Sequence, residues 1–171
     1  MSSVVIVAAK RTAIGSLLGQ FTGVPAPTLG ATAIRAALEQ SGLPADAVSE
    51  VIMGCVLPAG LGQAPARQAA IASGLPVSTG ATTINKVCGS GMKAAMLGHD
   101  LIKAGSAEVV IAGGMESMTN APHLLNGSRG IGLSITQRLV ELQGGSCGYE
   151  PLENGSRFFF TLPASDEMES A

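Results

Sequence analysis

Aromatic residues are scarce in this chain: 3% of its 171 residues, with no Trp, one Tyr and four Phe. So few rings exclude a base-stacking platform for single-stranded nucleic acid. Charge is also scarce, at 13% of residues, and nearly balanced to a net −2. That leaves no field to attract nucleic acid or an anionic membrane surface, and neither is expected as a partner. The three cysteines, Cys55, Cys88 and Cys147, are too few and odd in number for a disulfide framework. No CxxC pair offers a metal site, so none is expected, and a reducing, cytoplasmic compartment is the simplest reading. The opening Met1-Ser-Ser-Val-Val-Ile-Val has no basic region ahead of its apolar run, which is too short for a signal or a membrane span.

What the chain does have is apolar material, 46% of residues. That suits one domain with room for an appendage. A surface so poor in charge is expected to be covered in part by a second copy or another domain. The run Val4–Ala9 is continuously apolar, the pattern of a strand buried on both faces. Thr28 is a helix N-cap candidate, with the helix running to about Gln40 and Gly42 stopping it. Pro44-Ala-Asp46 reads as a turn, Val48–Leu57 as a strand containing Cys55, and Ala64–Ser73 as an Ala-rich helix. A further strand ends in Thr82-Thr83-Ile84, a helix spans Ser90–Ala104, and Glu108–Ala112 is another buried-type strand. Nearly all-apolar strands alternating with helices predict an α/β fold with a mainly parallel sheet covered on both faces.

One stretch carries chemistry: Asn85-Lys86-Val87-Cys88-Gly89-Ser90-Gly91, between the β-branched run and the helix that follows. A cysteine there lies beside the unpaired N–H groups of a helix N-terminus. That setting favours the thiolate and so supplies a nucleophile near neutral pH. Gly89 and Gly91 allow a substrate carbonyl close to the backbone, and their amides are candidate oxyanion donors. Elsewhere the bland readings lead. His99 beside Asp100 is a solvent-facing helical residue, His123 follows Pro122 in a surface loop, and Cys55 is a small buried hydrophobe. Met115 and Met118 flank Glu116 as pocket, interface or plain packing residues, and Arg67 is an exposed helical arginine or a subunit contact.

The segment Ile84-Asn-Lys-Val-Cys88-Gly-Ser-Gly-Met-Lys-Ala-Ala closely resembles the nucleophile segment of the thiolases, the acetyl-CoA C-acetyltransferase and 3-ketoacyl-CoA thiolase family. Four further blocks match the same family in order: Val5-Ile-Val-Ala-Ala-Lys-Arg-Thr-Ala-Ile-Gly15, Val51-Ile-Met-Gly-Cys-Val-Leu57, Gly62-Gln-Ala-Pro-Ala-Arg-Gln-Ala-Ala70 and Val109-Val-Ile-Ala-Gly-Gly-Met-Glu-Ser-Met-Thr-Asn-Ala-Pro122. The resemblance implies a thiolase-like layered fold, N-terminal half-domain only, over about 1–129. It implies acyl transfer from acyl-CoA to a cysteine, then attack on that thioester by a second acyl-CoA deprotonated at its α-carbon. Coenzyme A thioesters, acetyl-CoA among them, would be the substrates, with no cofactor, and a homo-oligomer is expected. Cys88 carries over as the nucleophile; Asn85, Gly89 and Gly91 are candidates for substrate binding and for shaping the turn. The β-ketoacyl synthases share the fold and the cysteine, but the Asn85–Gly91 block and Gly113-Gly-Met-Glu-Ser-Met favour a thiolase. The family's histidine, second cysteine and oxyanion-hole asparagine belong to a C-terminal half-domain whose motifs do not occur after Arg129.

From Gly130 the composition shifts, and the stretch to Pro163 is similar to the C-terminal end of the ATP-binding domain of sensor histidine kinases. It reads as a helix near Leu133–Gln143, a Gly144-Gly145 stop and a two-stranded hairpin, then a disordered acidic tail over 164–171. The upstream boxes of that ATP site are missing, so no ATP binding is expected. The whole reads as a fused or misjoined chain, catalytically incomplete, with a fragment lacking function as the alternative.

Overall fold

A computed structural model describes residues 3–124, 131–153 and 155–163. The junction at Arg129-Gly130 and the acidic tail over 164–171 lie outside the described residues. The chain forms two compact units, Met1–His123 and Leu124–Ala171.

In the first unit, α1 (Ala26–Ser41) leads through a short 3-10 turn (Ala45–Ala47) to β1 (Glu50–Gly54). Then follow α2 (Pro65–Ala72), β2 (Gly80–Ile84), α3 (Ser90–Lys103) and β3 (Val110–Gly114). The strands form one parallel sheet in the order β2-β1-β3. Alternation along β1 divides its side chains between two faces. Val51, Met53 and Cys55 join Ala26 and Ile34 of α1 and Ala66, Ala69 and Ala70 of α2 in the core. The opposite face receives α3, whose Gly98 lies against Val110 and Ala112 of β3. The sheet is therefore sandwiched between helices, as its apolar strands require.

Helix α1 begins two residues ahead of the expected Thr28, after Pro25. Pro27 in its first turn has the helical φ already set and needs no N–H partner there. Its end is as expected, with Gly42 left-handed at φ 67°. The run Val4–Ala9 differs from expectation: residues 3–16 form no strand, and Val5, Ile6 and Val7 are exposed, Ile6 to 89%. A strand needs a neighbour's ladder of N–H and C=O groups, and neither edge of the described sheet pairs with this run. Apolar composition sets what a segment prefers to bury, not what lies beside it.

The second unit has α4 (Ile131–Leu142) followed by an antiparallel pair, β4 (Ser146–Leu152) and β5 (Gly155–Thr161). Gly144 closes the helix at φ 73°, and Gly145 N–H donates to Val140 O at 2.9 Å. Glu150 and Arg157 face each other across the hairpin and pair at 3.3 Å. Among the described helices, none is long and apolar enough to cross a membrane.

Gly54 sits where α3 meets the sheet. A Cβ there would lie 2.5 Å from Ser90 Cβ and 2.9 Å from Gly91 N. Gly54→Ala is expected to cost about 1–3 kcal/mol through overpacking, read as a lower urea midpoint.

Candidate active site

The three strands end level with one another, Gly54 opposite Ile84 on one side and Gly114 on the other. Three loops therefore leave the carboxyl edge of the sheet side by side, the edge where open α/β sheets bind ligands. The loop after β2 is the turn Asn85–Gly89, and Cys88 stands in it, exposed, two residues before α3 begins at Ser90.

The turn is held by side chains folded back on its own backbone. Asn85 Oδ1 accepts from Val87 N–H at 2.9 Å. Ser90, buried at the start of α3, accepts from Lys86 N–H at 2.8 Å and donates to Val87 O at 2.6 Å. These bonds hold Val87 at φ 49°, left-handed backbone that a β-branched residue rarely adopts. The strained position is thus a valine directly before the cysteine, although glycines lie two and four residues further on. Gly89 has an ordinary φ of −90°.

The expected roles of the two glycines need correction on one point. Gly89 N–H donates to Lys86 O at 3.0 Å, so it is committed inside the turn and unavailable to an oxyanion. Gly91 lies in the first turn of α3, its Cα close against Gly114 of β3. Asn85 is brought to Cys88 as a brace: besides accepting from Val87, its Nδ2 donates to Val56 O at 3.1 Å.

Glu116, after β3, was not singled out from the sequence. Its carboxylate accepts from Val56 N–H at 2.7 Å and Leu57 N–H at 3.2 Å, and the Cys55 thiol lies 3.9 Å away. Burial, reinforced by the negative charge of Glu116, pushes the Cys55 thiol above its ordinary pKa. Cys55 is therefore a buried neutral thiol, in keeping with its reading as a small hydrophobe. Asn120 was also missed: its side chain accepts from Gly23 N–H and donates to Val24 O and Ser117 Oγ, pinning the long loop ahead of α1. Such side-chain bonds to backbone some hundred residues away leave no local pattern to read.

The remaining candidates lie apart from this chemistry. His99 is exposed on α3 and pairs with Asp100 at 3.1 Å, and His123 is exposed after the last described turn of the first unit. Met115 is buried, whereas Met118 is exposed. Arg67 is a half-buried staple, its guanidinium donating to the carbonyls of Val77 and Thr79. Cys147 is half-buried in the hairpin. Among the described residues no group of His, Cys, Asp or Glu could hold a metal ion.

A parallel α/β sheet with an exposed cysteine between strand end and helix start is an architecture for a nucleophilic enzyme. The family model for the thiolase N-terminal domain matches residues 4–142, past Arg129 and through α4. The acetyl-CoA acetyltransferase of Cupriavidus necator is 60% identical over 129 residues, 75% of this chain and 33% of that protein. The human mitochondrial acetyl-CoA acetyltransferase is 47% identical over 157 residues, 91% of this chain and 37% of that protein. Among solved structures, Acat5 thiolase from Ascaris suum in complex with coenzyme A superposes with a TM-score of 0.69 at 46% identity. That match covers 71% of this chain and 32% of the Ascaris chain. The chain belongs to the thiolase family through its N-terminal domain. It spans about a third of the length of the curated relatives it matches.

Two outcomes follow from the site's geometry. Val87 is 65% exposed, so Val87→Gly loses little packing and relieves its backbone. Equilibrium urea unfolding should show a gain of about 1 kcal/mol. For Cys55, a pKa raised in the fold means the stability it contributes is complete below the ordinary cysteine range, about pH 8.5, and is lost as pH rises through the folded value. Stability should fall more steeply above about pH 8.5 in the parent chain than in Cys55→Ala, measured by urea unfolding at a series of alkaline pH values.

Proposed function

We propose that this chain carries the acyl-accepting step of thiolase-type transfer, with Cys88 as the nucleophile and acetyl-CoA or another acyl-CoA as the donor. The observation that carries the reading is an exposed cysteine at the end of β2 and the start of α3, in a turn held by Asn85 and Ser90. The Cys88 sulfur, as thiolate, attacks the thioester carbonyl carbon. The new C–S bond gives a tetrahedral oxyanion, whose collapse breaks the bond to CoA. The CoA thiolate leaves and takes up, through solvent, the proton that Cys88 gave up. Gly91 is the remaining glycine candidate for the oxyanion, since the amide of Gly89 is engaged. No step calls for a cofactor or a metal.

Completing a condensation requires a second group to take the α-proton of another acyl-CoA. The resemblance assigns that work to a histidine and a second cysteine in the family's C-terminal half. In our reading this chain therefore stops at the acyl-enzyme. Residues 130–163 take no part in the chemistry and bind no ATP. A reducing, cytoplasmic setting is supported by three free cysteines, and a homo-oligomer by the exposed apolar side chains of Val5, Ile6, Met92 and Met96.

Intact mass and peptide mapping after incubation with acetyl-CoA test the reading. One acetyl group on Cys88, absent in Cys88→Ala and removed by free CoA, is the expected result, without acetoacetyl-CoA in solution. A folded protein with no adduct at Cys88 would overturn it.

A further inference from the structure

The loops after β1, β2 and β3 meet at a single peptide unit. Glu116, after β3, takes the N–H of Val56 at 2.7 Å and that of Leu57 at 3.2 Å. Asn85, after β2, donates to the carbonyl of the same Val56 at 3.1 Å. The other end of the Asn85 side chain accepts from Val87 N–H at 2.9 Å, directly before Cys88. A continuous path thus runs from the Glu116 carboxylate through the Val56 backbone and the Asn85 amide to the left-handed residue that aims the cysteine.

We infer that Glu116 is a positioning residue for Cys88, acting through Val56 and Asn85 rather than by touching substrate. The inference rests on the reading of Cys88 as the nucleophile. Both carboxylate oxygens are engaged by backbone N–H groups, which fixes the carboxylate against the loop after β1. The amide of Asn85 can satisfy Val56 O and Val87 N–H together only while that loop stays in place. Release of Glu116 frees Val56, Asn85 loses its donor contact, and Val87 relaxes from its strained φ toward ordinary backbone. The sulfur then leaves the N-terminus of α3.

The alternative, that Glu116 only stabilises its own loop, predicts a lower melting temperature with Cys88 chemistry intact in the folded protein. Charge gives a second discrimination. Removing a nearby carboxylate charge favours a thiolate and would speed its reactions, whereas loss of positioning slows them.

The test is the rate of Cys88 alkylation by iodoacetamide at pH 7, followed by peptide mapping so that Cys55 and Cys147 are counted separately. It is applied to the parent chain, Glu116→Gln, Asn85→Ala and the double variant, with folding monitored by circular dichroism. Each single variant is expected to slow Cys88 at least threefold, and the double variant to be no slower than the slower single one, the non-additivity of residues acting on one path. Glu116→Asp retains the charge on a shorter arm and should recover part of the rate; it also replaces Glu116→Gln if that variant does not fold. A Glu116→Gln rate within twofold of the parent or faster, or effects that multiply in the double variant, would overturn the inference. Acetylation by acetyl-CoA, run in parallel on the parent, separates the two readings. Parent acetylation with an unchanged variant rate removes only the role of Glu116. No parent acetylation, with slowed and non-additive alkylation, removes only the acyl-CoA chemistry.

Discussion

The site depends on one constraint: β1 is paired on both sides, in register, to its last residue. Because Gly54 faces both Ile84 and Gly114, three loops begin at the same height. A slip of one residue would turn every side chain of the slipped strand to the other face. It would also break the bond from Met115 N–H to Gly54 O, 2.9 Å long, that starts the loop bearing Glu116. The absence of a side chain at Gly54 lets α3 descend onto the sheet, so the helix N-terminus arrives where Cys88 needs it.

Against that frame the turn holds a conformation it would not choose alone. A β-branched residue in left-handed backbone costs about 1–3 kcal/mol. Three hydrogen bonds, from Val87 N–H to Asn85, from Lys86 N–H to Ser90 and from Ser90 to Val87 O, offset it at about 0.5–1.5 kcal/mol each. The two sums are comparable, so the turn is held without a large surplus. Both braces are short polar side chains within three residues of Val87, and their effect is local.

Element order, the parallel sheet and the place of Cys88 were legible because each has a local cause. Apolar runs mark buried strands, Gly42 and Gly144 end helices by adopting left-handed backbone, and Cys88 follows a β-branched run and precedes a helix. The second unit's helix and hairpin were legible for the same reason. What escaped depends on distant partners. Val4–Ala9 has the composition of a strand and no neighbour to pair with in the described sheet. Glu116 and Asn120 act on backbone groups 60 and about a hundred residues away, and nothing near them in sequence announces it. Arg67 looks like a surface cation until the carbonyls of Val77 and Thr79 are brought to it. The strain at Val87 was hidden by the neighbouring glycines, which suggested that the turn would use one of them.

The central position of β1 also bears on how the chain assembles. Glu50 pairs with Gly80, thirty residues on, and with Val110, sixty on, so neither rung closes locally. Non-local parallel pairing makes for slow folding, although the longer closure costs only about 0.6 kcal/mol more than the shorter. During synthesis β1, α2 and β2 are all available before β3 has been made. A sheet edge can therefore form early, with Cys88 already emerging from it, while Val56 still lacks its carboxylate. The nucleophile turn reaches its final form only after residue 116 has arrived, which makes the last strand to be translated the one that finishes the site.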